Sequence, residues 1–305
     1  MASMSAGSPE ISPEISPDGS PHISSDGSPD SLSSTDQKIL TYISLIGCSL
    51  SLFALVITVL LFITNRKLRE DVSMKVHINL VIALILLNLH FLLSQIVAAG
   101  SSTGLCLYMA LVLHYALLAT FSWMGLEGFN LYLLVVKVFD IYVSRYLLKL
   151  SVVGWGVPAV IVSVVAIINR GFYGQVSDSD GTAICYITNK TVKLVTTVGL
   201  FFMVFFFNVI VFVVTVKRVF SVGHHSEIDS KRVGQHICCL LGVGALLGIT
   251  WGLVFFSFGH LTTPGFYLFS ILNSLQGVFI FLWFVMSLRK AKSSAPKTSS
   301  DTSQS

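Results

Sequence analysis

Charge is scarce in this chain. Lys, Arg, Asp and Glu make up 11% of its 305 residues and apolar residues 53%, whereas about a quarter of an ordinary soluble domain is charged. A water-facing surface cannot be built from so little charge, so lipid must serve as the solvent. Recognisable reaction chemistry is scarce too. The sequence contains no nucleophile elbow, no HExxH, no phosphate-binding loop and no metal-ligand spacing, which points away from catalysis and from a resident cofactor or metal. The last long apolar run, Phe266 to Leu288, has no Lys that a retinal Schiff base would need. No charged-then-apolar signal peptide opens the chain, and the expectation is that the first apolar run acts as its own insertion signal.

What is present is seven apolar runs: 39–64, 76–100, 107–136, 148–168, 193–216, 236–259 and 266–288. Each reaches the roughly 20 residues that a helix needs to cross the hydrocarbon core. They are continuous blocks of Leu, Val, Ile and Phe rather than the ten-residue alternating segments of a membrane β-barrel. The expected fold is therefore an all-α membrane protein, a seven-transmembrane helix bundle. Of the 19 Lys and Arg, only Lys38, Arg170, Lys190 and Lys193 fall outside if the N-terminus is extracellular, leaving fifteen inside. The positive-inside rule then puts the N-terminus out, and it makes the net charge of +4 a matter of topology, not of nucleic-acid binding.

Three regions follow from this. Residues 1–38 are expected to be a disordered extracellular tail, because 8–31 repeat four-residue units such as SPEI and SPDG with no apolar face. Residues 39–288 form the membrane domain. Residues 289–305 form a short Ser/Thr-rich cytoplasmic tail. Of the five cysteines only Cys106 and Cys185 lie in outer positions. An oxidising exterior permits them to pair and tie the second outer loop over the bundle mouth, although sequence alone carries no distance. Cys238 and Cys239, near the inner face, are either small packing residues or acylation sites, with packing favoured. Asn189-Lys190-Thr191 is an outer N-glycosylation sequon close to the fifth span.

Ionisable side chains inside spans are costly and tend to face the bundle interior. Glu127 is the one acid deep in a span, and 21 positions past Cys106 it lies roughly 31 Å inward, near the cytoplasmic surface. His77 begins the second span at a similar depth. The two either pair as a latch or reach headgroup water independently. His90 and His114, on outer halves, are expected to hydrogen-bond within the bundle rather than hold zinc. In the sixth span Gly242, Gly244, Gly248 and Gly252 surround Trp251, which fits either a kink carrying a moving indole or close helix packing. A transporter would ordinarily show an inverted repeat with broken helices. Signal transduction by helix rearrangement fits better.

Four strings carry a resemblance: His114 to Tyr132 (HYALLATFSWMGLEGFNLY), Gly154 to Ala159 (GWGVPA), Leu246 to Gly252 (LLGITWG) and Leu272 to Phe281 (LNSLQGVFIF). In this order the chain, over about Leu40 to Leu288, resembles adhesion G-protein-coupled receptors, of the secretin-like class, and in particular their G subfamily. The rhodopsin-like acidic-Arg-Tyr and Asn-Pro-x-x-Tyr signatures are missing. The resemblance implies a plasma-membrane receptor that passes an extracellular or tethered-peptide signal to heterotrimeric G proteins, with a peptide or apolar small-molecule agonist and membrane lipids as the other partners. It implies a Cys106–Cys185 disulfide, a toggle at Trp251 beside the kink near Gly248, and a matching bend at Gln276 and Gly277. It further implies an inner polar pair of His77 and Glu127, an agonist pocket lined by Leu113, Leu117, Phe121, Tyr186, Trp251, Phe255 and Phe269, and a G-protein contact at Asn130, Leu131 and Tyr132. Relatives often carry His where Asn130 stands and Trp where Tyr186 stands. Such receptors usually have a long ectodomain whose self-cleaving module leaves a tethered agonist before the first helix. Residues 1–38 hold neither, so the expectation is a truncated or incomplete form, or a receptor that signals without a tether and with low basal activity. The competing reading is a truncated, non-signalling seven-helix protein that modulates related receptors, or a small transporter.

Overall fold

The computed structural model describes residues 33–100, 102–133, 145–177, 183–223, 248, 250–251 and 262–293. Its elements are helices α1 (Ser34–Thr64), α2 (Arg66–Glu70), α3 (Val72–Ala98), α4 (Thr103–Tyr132), α5 (Tyr146–Ser151), α6 (Val157–Ile168), α7 (Lys190–Val192), α8 (Gly199–Gly223), α9 (Thr262–Ser274) and α10 (Gln276–Ser293), with strands β1 (Tyr173–Ser177) and β2 (Ala183–Ile187). Among the described residues five helical stretches are long and apolar enough to cross a membrane, and the bent pair α9–α10 adds a sixth. The expected sixth span, 236–259, lies almost wholly outside the described residues, as do the inner loop before it and Cys238 and Cys239.

Length and composition explain the helices, and polar groups explain their ends. Helix α1 starts at Ser34 rather than 39, which corrects the expected extent of the disordered tail: the Ser33 hydroxyl accepts from the Thr35 N–H, and Asp36 sits in the first turn, where a negative charge favours the helix dipole. Hydropathy registers only the apolar part of such a helix. The C-terminal tail is shortened likewise, since α10 continues to Ser293. Asp71 caps α3 by accepting from the Ser73 N–H at 2.8 Å. Asn189, the sequon residue, caps the fifth span by accepting from the Val192 N–H at 3.0 Å.

Two spans contain a π-helical turn. In the fourth, Val152–Gly156 widens just before Pro158, whose missing N–H leaves the Gly154 carbonyl without its usual partner and whose ring crowds that turn. The indole of Trp155 in this turn donates to Asn79 of α3 at 3.0 Å. Next to it, the Trp123 ring lies where a Cβ on Gly154 would stand, 2.5 Å away. Only glycine admits that approach of α4 to the fourth span. The second such turn, Lys193–Val198, opens the fifth span.

Helix α4 is the centre: 61% of its spanning window is buried, against 22% in the fourth and fifth spans, which present Val, Leu and Phe outward as lipid requires. It packs on α3, α8 and α6, while α1 packs on α3, α9 and α10. One element departs from an all-α fold. The loop after the fourth span is a β-hairpin with Tyr173 opposite Ile187 and Gln175 opposite Cys185, and β2 is buried from Ile184 to Ile187 against α3 and α4.

Candidate functional site

The hairpin is fastened to the ends of three spans. Cys106 at the start of α4 is disulfide-bonded to Cys185 of β2. The Ser94 hydroxyl of α3 then takes both backbone groups of Cys185, donating to its carbonyl at 3.1 Å and accepting from its N–H at 3.0 Å. His114 supplies the third tie. Its Nε2 meets the Thr196 hydroxyl at 3.1 Å, and that hydroxyl donates to the Val192 carbonyl at 2.7 Å. With the Thr196 proton committed, Nε2–H is the donor and Nδ1 accepts from the Tyr173 hydroxyl at 2.9 Å. His114 is thus a hydrogen-bonding residue, and His90 contacts the Leu86 carbonyl at 2.8 Å. Among the described residues no group could hold a metal ion. Burial pushes the Tyr173 hydroxyl up to about 12 and raises that of Tyr186 further.

Below this lid lies an aromatic cluster. Phe121 of α4 meets Trp251 edge to face at 5.3 Å between ring centroids, and Trp251 meets Phe269 of α9 the same way at 6.0 Å. Edge-to-face geometry sets the positive rim of one ring against the negative face of the other. Phe201 of α8, absent from the expected lining, adds a ring 5.2 Å from Phe121. Leu113 and Leu117 precede Phe121 at four-residue spacing on α4 and are buried. Tyr186 belongs to the lid, with its hydroxyl 3.3 Å from that of Thr197 and its ring edge-on to His114. Phe255 lies outside the described residues.

Beside the cluster a left-handed turn at Gly248 faces a break in the seventh span. Gly248 has φ +69°, in the left-handed region, and the Met124 sulfur sits 2.5 Å from where a Cβ would be. Conformation and space therefore both demand glycine there. The seventh span breaks at Leu275, between α9 and α10, with a bend of 46°. Polar bonds join the breaks. The Trp251 indole donates to Gln276 Oε1 at 3.1 Å, and the Thr250 hydroxyl donates to Asn273 Oδ1 at 2.7 Å. Asn273 Nδ2 in turn donates to the carbonyls of Phe269 at 3.0 Å and Thr250 at 3.3 Å. From the other side, the Ser51 hydroxyl of α1 donates to the Ser274 carbonyl and accepts from the Gly277 N–H at 3.1 Å. A helix break leaves backbone groups without their usual partners, and one hydroxyl bridges two of them.

At the inner end His77 and Glu127 come together across α3 and α4, with Nδ1 3.9 Å from Oε1 and both side chains almost fully buried. That distance is too long for a hydrogen bond, and both His77 nitrogens and Glu127 Oε2 lack a partner among the described residues. Packing holds the imidazole, with Trp283 of α10 at 4.7 Å and Phe284 at 6.2 Å. One turn further in, Asn130 is buried while Leu131 and Tyr132 are half-buried. Ser51, Ser94, Asn273, Thr196 and Tyr173 were not singled out in the sequence. Ser51, Ser94, Asn273 and Thr196 show there only as small polar residues within apolar runs and Tyr173 as one aromatic in a loop, and neither signal reveals a partner.

These observations meet the comparisons with known proteins. The model of the 7 transmembrane receptor (Secretin family) matches residues 37–280. The chain is 40% identical over 261 residues to adhesion G-protein coupled receptor G2 of Mus musculus, and likewise to that of Homo sapiens, covering 83% of this chain and 26% of theirs. It is 41% identical over 263 residues to adhesion G-protein coupled receptor G1 of Mus musculus, covering 83% of this chain and 38% of the relative. The chain thus spans about a quarter of the G2 relatives' length and about two-fifths of the G1 relative's. With the family's model matched from residue 37 to residue 280, over most of the apolar helices described above, the chain belongs to the secretin family of seven-transmembrane receptors.

Proposed function

We propose that this chain is the seven-helix signalling domain of an adhesion-type G-protein-coupled receptor, lying in the plasma membrane with its N-terminus outside. It passes the arrival of an agonist, a tethered or free peptide or an apolar small molecule, to a heterotrimeric G protein by rearranging its helices. The observation that carries this reading is the left-handed Gly248 facing the break at Leu275, bridged by Trp251–Gln276 and Thr250–Asn273 beside the Phe121–Trp251–Phe269 cluster. A ligand pressing on the indole acts on a hydrogen bond that spans both bends, and a break is where a helix changes direction at least cost.

The orientation is supported by the charge bias and by a disulfide at the end of the bundle assigned to the exterior. The sixth of the seven spans rests on the sequence of 236–259. Residues Leu113, Leu117, Phe121, Tyr186, Trp251, Phe255 and Phe269 are the proposed agonist contacts, and Asn130, Leu131 and Tyr132 the proposed inner contact. Purified protein in lipid nanodiscs, given an apolar agonist peptide, should accelerate GTP exchange on a heterotrimeric G protein, and Trp251→Ala should remove most of the response. Absence of exchange on every G-protein class, with correctly folded receptor, would refute the reading.

A further inference from the structure

Asn130 is a poor helix former near the end of a long helix, since its amide competes for backbone groups, yet only 6% of its surface is exposed. A buried amide needs partners, and both of its polar atoms have one. Nδ2 donates to the Ser73 hydroxyl of α3 at 2.8 Å. Oδ1 accepts from the Tyr146 hydroxyl of α5 at 3.4 Å. Ser73 is itself held by the Asp71 cap at 2.8 Å. A single side chain therefore fastens the ends of the second, third and fourth spans to one another, and a shift of α4 against either neighbour breaks one of its bonds.

We propose that Asn130 is a positioning residue, a clasp that holds the inner end of the third span closed and so restrains coupling, rather than a surface that touches the G protein. The inference rests on the receptor reading above and reassigns one residue within it. In this conformation Asn130 cannot reach a partner, whereas the half-buried Leu131 and Tyr132 can. Its two bonds are unequal. The 2.8 Å bond to Ser73 carries most of the hold, and the 3.4 Å contact with Tyr146 is at the limit of a hydrogen bond.

The test uses the full chain in nanodiscs and reads two quantities. In Asn130→Ala, amide hydrogen exchange across 128–133 should quicken about five- to tenfold, the population shift that follows loss of a buried hydrogen-bonded amide. Agonist-free GTP exchange on a purified heterotrimeric G protein should rise by a similar factor. Ser73→Ala should give roughly two-thirds of either effect on a logarithmic scale, Tyr146→Phe much less, and Ser73→Thr, which keeps the hydroxyl, should restore wild-type values. If Asn130→Ala does not fold, Ser73→Ala reads the same bond from a half-buried partner. Unchanged hydrogen exchange in both variants overturns the clasp. Faster hydrogen exchange with unchanged or lower agonist-free coupling overturns its restraining role and returns Asn130 to the contact surface. If wild type with agonist drives no GTP exchange at all, the receptor reading fails, while hydrogen exchange still decides whether the clasp exists.

Discussion

The third span is held in opposite ways at its Cys106 end and around Glu127, one turn short of the hydrogen-bonded Asn130. At the Cys106 end a disulfide, the Ser94 bridge and the Tyr173–His114–Thr196 chain leave the hairpin tied by covalent and directional bonds. At the inner end His77 and Glu127 face each other without a hydrogen bond, and the imidazole is kept in place by two aromatic rings. Directional bonds specify one arrangement. Packing around polar groups whose bonds are unmade tolerates another, because a rearrangement that satisfied them would be favoured. On the proposed receptor reading, the difference suits a molecule that keeps its shape around the hairpin and rearranges around the His77–Glu127 pair.

The outer end is the place to break this contrast most forcefully. Cys185→Ala frees a loop with a sequence separation of 79, and closure of a loop of that size is worth about 4 kcal/mol. Thermal unfolding of the purified protein should show it as the most destabilised single variant. Gly248→Ala comes next: a left-handed φ of +69° and a sulfur 2.5 Å from the new Cβ predict a loss of about 2–3 kcal/mol in the same measurement. Ser51→Ala removes the hydroxyl across the break of the seventh span and strands the Gly277 N–H, at a cost of about 1–3 kcal/mol. Thermal unfolding should rank it below Gly248→Ala or level with it.

The inner end should behave otherwise. Glu127→Gln keeps the shape of the side chain and breaks no hydrogen bond present among the described residues, so stability should change by less than about 1 kcal/mol, while agonist-free GTP exchange shifts measurably. A large loss of stability would show that the pair is a structural tie after all. The smallest effect is one of pH. Burial raises the Tyr173 hydroxyl above its ordinary value of 10.0 to about 12, so the folded state favours the neutral phenol. Its contribution is complete below about pH 10 and is lost as pH climbs through about 12. Fluorescence of a probe on the hairpin should hold steady up to about pH 10 and change only above it, and a change near neutrality would contradict the assigned hydrogen bond to His114.

Much of the site could be read in the sequence, but unevenly. His77 and Glu127 could be placed at one depth, because a helix rises a fixed distance per residue. Trp251 and Phe121 stand within the recognisable motifs, and Phe269 was expected only as part of the pocket lining the resemblance implies. That His77 and Glu127 stop 3.9 Å apart, that Ser94 rather than a charged group anchors the lid, and that Asn130 turns inward were not. Serine, threonine and asparagine inside an apolar run look alike whether they bond their own helix, as Thr120 does, or another one, as Ser51 does. The hairpin was hidden for a similar reason: strands of five residues in a loop give too little alternation to be seen.

By itself the sequence determined the solvent, the spanning helices and the family, because transfer from water to lipid is a property of each segment and motif order a property of the chain. It also determined where bends are permitted, through Gly248 and Pro158. Only the tertiary structure decided what bridges the bends, which polar groups are paired and which are left waiting. Those outcomes depend on distances of a few tenths of an ångström between residues as far apart as Ser51 and Gly277, and no local rule along the chain encodes such an approach.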